Sequence, residues 1–339
     1  MLLVDAVYTN NGGTKVLLDY LIEELEKTDL NIFYLLDNRI KYNHPVIKET
    51  NTIVYIKGGF FNRHRFYLNL SNQFDTIFCF SNIPPTFKVK AKVYTYFQQQ
   101  LFIKVPESHP LHLKFLYFLK SLILKYSSNN SNQWIVQSNF MKKSLIKKYN
   151  LDEIDVKVIP FYPDFKAKYN SDINKEPYSY IYVSNGTSHK NHIRLITAFC
   201  TFYDQYNFGK LILTINEDYP DIINLITLKQ QNNYPIENLG FLERNELQKY
   251  YNKSKYVIFP SLSESFGLGL IEGVNNGCKI ISADLPYTYE VCNPSLVFNP
   301  HDTKSIFNAF VKSIESDLNY SVPKIENKID DLLNMFNNK

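Results

Sequence analysis

Only four cysteines occur in 339 residues. Cys79, Cys200, Cys278 and Cys292 have no metal-ligand spacing, and several lie in apolar runs. That usage argues against a disulfide framework or a zinc site and for reduced core thiols of a cytosolic protein. Nor is there a run of about 18 uncharged apolar residues, so no ordinary membrane-spanning helix is expected. The first residues already read as an apolar strand, with neither a basic leader nor a cleavage site, and no secretory signal is expected. Tryptophan occurs once beside 26 Tyr and 25 Phe. Together with many Asn, Lys and Ile, this is the mark of a coding sequence rich in A and T, and the aromatics carry no functional weight as a class. There is no internal repeat, no GxGxxG and no GKS/T pattern.

Acids are scarce in one place. Arg39 to Lys148 holds 17 Lys or Arg against Glu49, Asp75 and Glu107, a difference of 17 − 3 = +14, where the whole chain carries +4. A basic face favours anionic partners such as membrane lipid, a lipid diphosphate or nucleic acid, and a merely solvated face is the other reading. Leu111 to Tyr126 lies inside this segment, with Lys114, Lys120 and Lys125 set among bulky apolar residues. Membrane-surface docking and core packing with snorkelling lysines both stay open for that helix.

The length and the 45% hydrophobic content suit two domains with their own cores. Short β-branched runs alternate with helical patterns in both halves, which predicts two parallel-sheet α/β domains with ligands at the carboxyl ends of the strands. Domain bounds of 1–165 and 179–320 are expected, joined by a polar linker over 166–178. A final stretch, 321–339, has Ile325, Ile329, Leu332, Leu333 and Phe336 as its apolar stripe.

The densest signal runs from Tyr256 to Val291. Tyr256 to Phe259 reads as a buried strand, Pro260 to Ser265 as a loop, Leu268 to Val274 as a helix ended by Asn276-Gly277, and Cys278 to Ala283 as the next strand. In such a unit the loop and the free amides at the helix start make an anion site. Glu264 and Glu272 frame it, eight residues apart. A ligand with phosphate in its middle and hydroxyl groups at both ends suits that arrangement, because carboxylates accept from vicinal hydroxyls and repel phosphate. Taken alone, most such pairs are a capping Glu followed by a solvent-facing one.

Three other loops sit at predicted strand ends. Gly12-Gly13 precede the first helix, where paired glycines allow close approach of a ligand or simply make a turn. Gln98-Gln99 follow the strand Lys92 to Phe97. Ser184 to Asn191 follows the strand Tyr180 to Val183, and Lys190 there puts an ammonium within reach of an anion above the strand ends.

Pro-Ser-x-x-Glu-x-Phe-Gly at Pro260 to Gly267, followed by Glu272-Gly273 and Gly277, resembles the donor-binding segment of the retaining glycosyltransferases of GT-B family 4. Gly269 stands where that family often has Pro, and Gly273 where it usually has Ala. The resemblance implies a GT-B fold, two Rossmann-like domains facing across a cleft, with the last helix crossing back to the first domain. It implies a metal-independent, retaining hexosyltransferase that uses a nucleotide-diphosphate sugar and no cofactor. Glu272 would bind the ribose, Glu264 with Ser265 the donor sugar, and Lys190 with the amides of Phe266, Gly267 and Leu268 the diphosphate. Gly12 and Gly13 would face that diphosphate, while Asn185 and Gly186 would line the phosphate loop. Gly240, Phe241 and Leu242 would pass beside the base.

Two positions depart from the family. Asn185 replaces a frequent Arg and so removes a cation, with His189 and Arg194 as the candidates to compensate. Gln98 replaces a His beside the reacting sugar, so Gln98 and Gln99 are expected to hydrogen-bond on the acceptor side. Glu264, Lys190 and Gln98 are the residues expected to act in catalysis. The acceptor expected is a glycan on a polyprenyl diphosphate in O-antigen or capsule assembly, at the cytoplasmic face of an anionic membrane, and nucleic acid is not an expected partner. A non-catalytic paralogue serving as a binding subunit and a nucleotide-sugar epimerase are the alternatives. The acid-poor first domain speaks against the epimerase, which needs catalytic acids and bases there.

Overall fold

Runs such as Leu2–Ala6, Ile32–Asp37 and Lys279–Ala283 are buried along their whole length, the pattern of parallel strands covered on both faces. The computed structural model describes residues 1–105, 110–165 and 175–337. It divides into one unit of Met1–Pro163 with Glu326–Lys339, and a second of Asp164–Ile325.

In the first unit the order is β1 (Leu2–Ala6), α1 (Gly12–Leu25), β2 (Ile32–Asp37), β3 (Thr52–Ile56), α2 (Phe60–Leu70), β4 (Thr76–Cys79), β5 (Lys92–Tyr96), α3 (Leu111–Ser127), β6 (Gln133–Val136), α4 (Asn139–Tyr149) and β7 (Val156–Val158). The seven strands are parallel in the order β3-β2-β1-β4-β5-β6-β7.

The second unit runs β8 (Glu176–Tyr182), α5 (His192–Tyr206), β9 (Lys210–Leu213), α6 (Pro220–Gln231), β10 (Ile236–Asn238), α7 (Arg244–Lys253), β11 (Ser254–Phe259), α8 (Leu268–Asn275), β12 (Lys279–Ala283), α9 (Pro286–Val291), β13 (Cys292–Asn293), β14 (Leu296–Phe298), α10 (Thr303–Glu315) and β15 (Val322–Pro323). Its parallel sheet has the order β10-β9-β8-β11-β12-β14, and β13 with β15 forms a small antiparallel ribbon. Two parallel α/β sheets are therefore present, as the alternating pattern predicts. Each reverses its strand order once, at β1/β4 and at β8/β11, and the crevice outside the strand ends at such a reversal is where ligands bind.

The last helix, α11 (Ile329–Asn337), returns to the first unit. The Phe336 ring meets Phe78 and Tyr94 at centroid distances of 5.0 and 6.0 Å. Asn327 donates to Tyr20 Oη and to the Tyr162 carbonyl, and the Lys328 amide donates to Pro160 O. Ile325 precedes this helix and is no part of its stripe. Several elements were not legible in advance: α2, α6, α9 and β14. Residues 166–174 of the expected linker lie outside the described residues, and Glu176 to Tyr178, also read as linker, already belong to β8. Among the described residues no helix is long and apolar enough to cross a membrane.

A buried ion pair anchors the loop after β4. Arg63 on α2 donates through Nε to Asp5 on β1 at 2.7 Å and through its terminal nitrogens to the carbonyls of Ile83 and Pro84; Tyr67 Oη donates to the same carboxylate. Burial pulls the Arg63 pKa down, but Asp5 together with Tyr67, Cys79 and Tyr8 outweighs it and the net shift is upward. Held this way, the loop presents Asn82 in a left-handed conformation, φ +69°.

Gly273 is a position of close approach. A Cβ there would lie 2.5 Å from Val257 Cγ2 on β11 and 3.0 Å from Ile280 Cδ1 on β12, so α8 rests on the sheet with no room for alanine. Gly273→Ala is expected to cost about 1–3 kcal/mol of unfolding free energy, the usual range for overpacking. In a Val257→Ala background, which removes the 2.5 Å contact, the penalty of the same change should fall; equal penalties in both backgrounds, measured by urea denaturation, would refute the clash.

Candidate active site

The site of the second unit is built at the β8/β11 reversal. Loop 183–191 leaves β8 and loop 260–267 leaves β11, and one residue ties them. Asn191, buried and left-handed at φ +64°, donates its side-chain amide to the carbonyls of Pro260 and Pro300 at 3.1 and 2.8 Å. The Leu262 amide and Ser261 Oγ donate to the His189 carbonyl, and Tyr182 Oη donates to that of Lys190. Beside them the His192 ring packs at a tilt against Tyr182, 5.0 Å between centroids, and is hydrogen-bonded to Ser184 Oγ. Burial, then the charges of Lys190 and His189, lower its pKa to about 3, so the ring is neutral.

These ties bring Lys190 and Glu264 together, the ammonium donating to Glu264 Oε1. The two residues are 74 apart in sequence, and both side chains are largely buried. Next to them Gly267 caps α8 with φ +82°, a conformation that favours glycine. The first amides of α8 have no partner within the helix. Ser265 is half-buried and Phe266 buried, while Leu268 opens the helix. Among the described residues no group of three His, Cys, Asp or Glu side chains is placed to hold a metal ion.

Glu272, one turn on, is not an open carboxylate. Oε1 accepts from Arg244 Nη2 and Nε at 3.1 and 3.3 Å, and Oε2 accepts from Tyr251 Oη at 3.2 Å. Burial raises its pKa, and Arg244 and Tyr251 counter the rise without cancelling it. Arg244 also donates through Nη1 to the Asp164 carbonyl at 2.9 Å and lies over the Phe165 ring, 4.2 Å from its centroid. Sequence reasoning missed Arg244. The only signal was its position at the start of α7, just after the Gly240 loop, and one base among 37 does not stand out.

The remaining residues are distributed as follows. Asn185 is exposed, its side-chain oxygen accepting from Thr187 Oγ1 at 2.7 Å. Gly186 is required by crowding: a Cβ would come within 2.5 Å of Tyr219 Cβ. His189 and Arg194 were the candidates to replace the missing cation; Arg194 donates to Asn191 Oδ1 at 2.9 Å and so braces the junction. Gly240, φ +67°, turns the chain after β10, leaving Phe241 exposed and Leu242 half-buried.

In the first unit Gly12 and Gly13 begin α1 instead of ending the loop before it. Both are exposed with open space where a Cβ would stand. Gln98 and Gln99 follow β5, two strands from β1 on the same sheet edge, and both backbone amides donate to Asn82 Oδ1, at 2.7 and 2.9 Å. The Gln98 side chain is buried and its amide donates to Phe80 O, whereas Gln99 is half-buried.

Residues 164–321 match the family described as glycosyl transferases group 1. The O-antigen chain mannosyltransferase RfbU of Salmonella typhimurium is 28% identical over 194 residues, 57% of this chain and 54% of RfbU. The serotype-specific mannosyltransferase WbdA of Escherichia coli is 33% identical over 82 residues, 24% of this chain and 10% of WbdA. The chain thus spans about half the length of the first relative and a tenth of the second. Among solved structures, sucrose-phosphate synthase of Thermosynechococcus elongatus superposes with a TM-score of 0.68 at 15% identity. Anabaena HepE, solved with UDP and glucose, gives 0.68 at 13%. Each match covers 93% of this chain and 89% of the other, and the shared fold is GT-B.

Because Arg244 offsets the buried charge of Glu272, Arg244→Gln is expected to lose about 1–3 kcal/mol of stability near neutral pH. The sign follows from linkage. A carboxyl whose folded pKa is raised costs stability as pH climbs from its unfolded value through the folded one, and losing Arg244 raises that pKa further. The deficit in melting temperature against the wild type should therefore shrink between about pH 8 and about pH 5. A deficit that stays constant with pH would show that Arg244 does not act through Glu272.

Proposed function

With residues 164–321 as a glycosyl transferases group 1 segment on a GT-B fold, we propose that this protein is a retaining, metal-independent hexosyltransferase using a nucleotide-diphosphate sugar. The observation that carries the reading is the meeting of Lys190 and Glu264 beside the start of α8, at the reversal of the second sheet. A cation next to the amides of a helix start suits a diphosphate, and a carboxylate beside them suits sugar hydroxyls.

In the proposed reaction the bond between the anomeric carbon and the diphosphate oxygen breaks. The acceptor oxygen bonds to that carbon on the same face, and its proton leaves with the diphosphate. Lys190 and the amides of Phe266, Gly267 and Leu268 hold the charge that develops on the departing group, acting as fixed donors. Glu264 with Ser265 positions the sugar. Glu272 takes the ribose hydroxyls; its oxygens already accept three hydrogen bonds of roughly four possible, so bidentate binding displaces part of the Arg244 contact. Asn185, Gly186, Gly240, Phe241 and Leu242 line the donor, Gly12 and Gly13 serve its diphosphate, and Gln98 with Gln99 serves the acceptor. The RfbU and WbdA names make mannosyl the first group to test, with a polyprenyl-diphosphate glycan of surface-polysaccharide assembly as acceptor and the cytoplasmic membrane face as the place.

A thermal-shift and turnover screen against UDP-, GDP-, ADP- and TDP-sugars tests this, with Glu272→Ala and Lys190→Met as controls. One nucleotide is expected to stabilise the wild type but not Glu272→Ala. Lys190→Met should lower kcat by about 10²–10³-fold, as the loss of one transition-state donor does. Binding without turnover would favour the binding-subunit reading, to which the buried Gln98 amide and Asn185 belong. Silence across the panel from folded protein would reject the donor site.

A further inference from the structure

Helix α3 is apolar on two sides, and only one of them is used. At about 100° per residue, Leu113, Tyr117 and Leu124 face the core, where Leu124 is fully buried and the Tyr117 ring meets Phe102 at 6.0 Å. On the opposite side Leu111, Phe115, Phe118, Leu119, Leu122 and Tyr126 fall within an arc of about 100°, and every one is exposed: Leu111 by 82%, Phe115 by 62% and Tyr126 by 84%. A helix that needs only to cover a sheet has one apolar stripe and a polar outer face. Six large apolar side chains on the outer face of one 17-residue helix mark an interaction surface.

Charge identifies the occupant. Residues 111–149, which include α3, β6 and α4, hold seven lysines and no Asp or Glu. Lys114 and Lys125 lie along one flank of the exposed stripe, and the end of α4 packs on that same flank through Ser121 Oγ and Tyr149 Oη at 3.1 Å. That contact brings the Lys147-Lys148 pair, exposed in α4, to the same side. Two copies of such a surface would set lysine against lysine, since residues 111–149 bring no acid of their own to the contact. An anionic lipid surface instead offers hydrocarbon for the rings and headgroup charge for the ammonium groups.

We infer that the outward face of α3 is an interfacial docking surface that lies in the headgroup region of an anionic membrane. Where the proposed function names only a membrane face, this names the surface that reaches it. The inference deepens that reading, yet its test uses no donor or acceptor, so the two can fail separately.

The full chain is to be sedimented with vesicles of phosphatidylcholine, alone or with about a third phosphatidylglycerol, at low and at about 0.5 M salt, where screening is nearly complete beyond a few ångströms. Binding is expected to the anionic vesicles at low salt and to fall at least about tenfold without phosphatidylglycerol or in high salt. Phe115→Ser with Phe118→Ser and Leu122→Ser should cost a further tenfold or more with an unchanged melting temperature, since these side chains are exposed. Lys125→Glu with Lys147→Glu should reduce binding while leaving the apolar stripe intact. No sedimentation of the wild type with anionic vesicles would overturn the inference, as would undiminished binding by the serine variant. So would a lipid-free dimer, seen by light scattering, that the serine variant dissolves while vesicle binding persists.

Discussion

The junction of the two loops in the second unit's site depends on the side-chain amide of Asn191. Its two hydrogen bonds to Pro260 O and Pro300 O are made by a buried donor to backbone acceptors. Such bonds are costly to break because both partners would be left dry. They hold the end of the β8 loop against the end of the β11 loop. Lys190 is the preceding residue and Glu264 lies four residues beyond Pro260, so their ion pair follows from the junction. The left-handed backbone at Asn191 suits asparagine better than most other side chains, which makes the Lys-Asn pair a structural unit as much as a chemical one.

The two carboxylates of the site live in different surroundings. Glu264 faces an ammonium on a flexible stem, a partner that can shift toward an arriving anion. Glu272 is fixed between a guanidinium and a phenol, with Arg244 itself held by the Phe165 ring and the Asp164 carbonyl. Burial alone would drive Glu272 toward its neutral form, so the Arg244 contact is what keeps an acceptor of high charge in a dry place.

The first unit solves a comparable problem without an exposed charge. Asp5 and Arg63 are buried together and fasten the loop at Ile83 and Pro84, and Asn82 of that loop receives the amides of Gln98 and Gln99. The strand exits of β4 and β5 are thereby joined. Gln98 has its side-chain amide committed to Phe80 O, which leaves its carbonyl as the group of that side chain free of the backbone contact.

Local pattern by itself determined the class of this protein. The buried strand runs, the alternation with helices and the Pro260 to Gly267 motif were legible because each depends on neighbours in sequence: pleat, helical period and the glycine that a left-handed cap favours. Short α9 and β14 and the polar α2 were not, since their apolar positions are too few to show a period. Gly273 looked like a neutral departure from alanine until Val257 and Ile280 were seen against it. Only the tertiary structure decided that Glu272 is paired with Arg244, 28 residues away, and that Lys190 meets Glu264. It also decided that α3 has an apolar face left outside, where sequence left core packing and surface docking open. The physical reason is common to all three: charge compensation and burial are settled between elements distant along the chain, and sequence periodicity reports how apolar a face is without reporting what covers it.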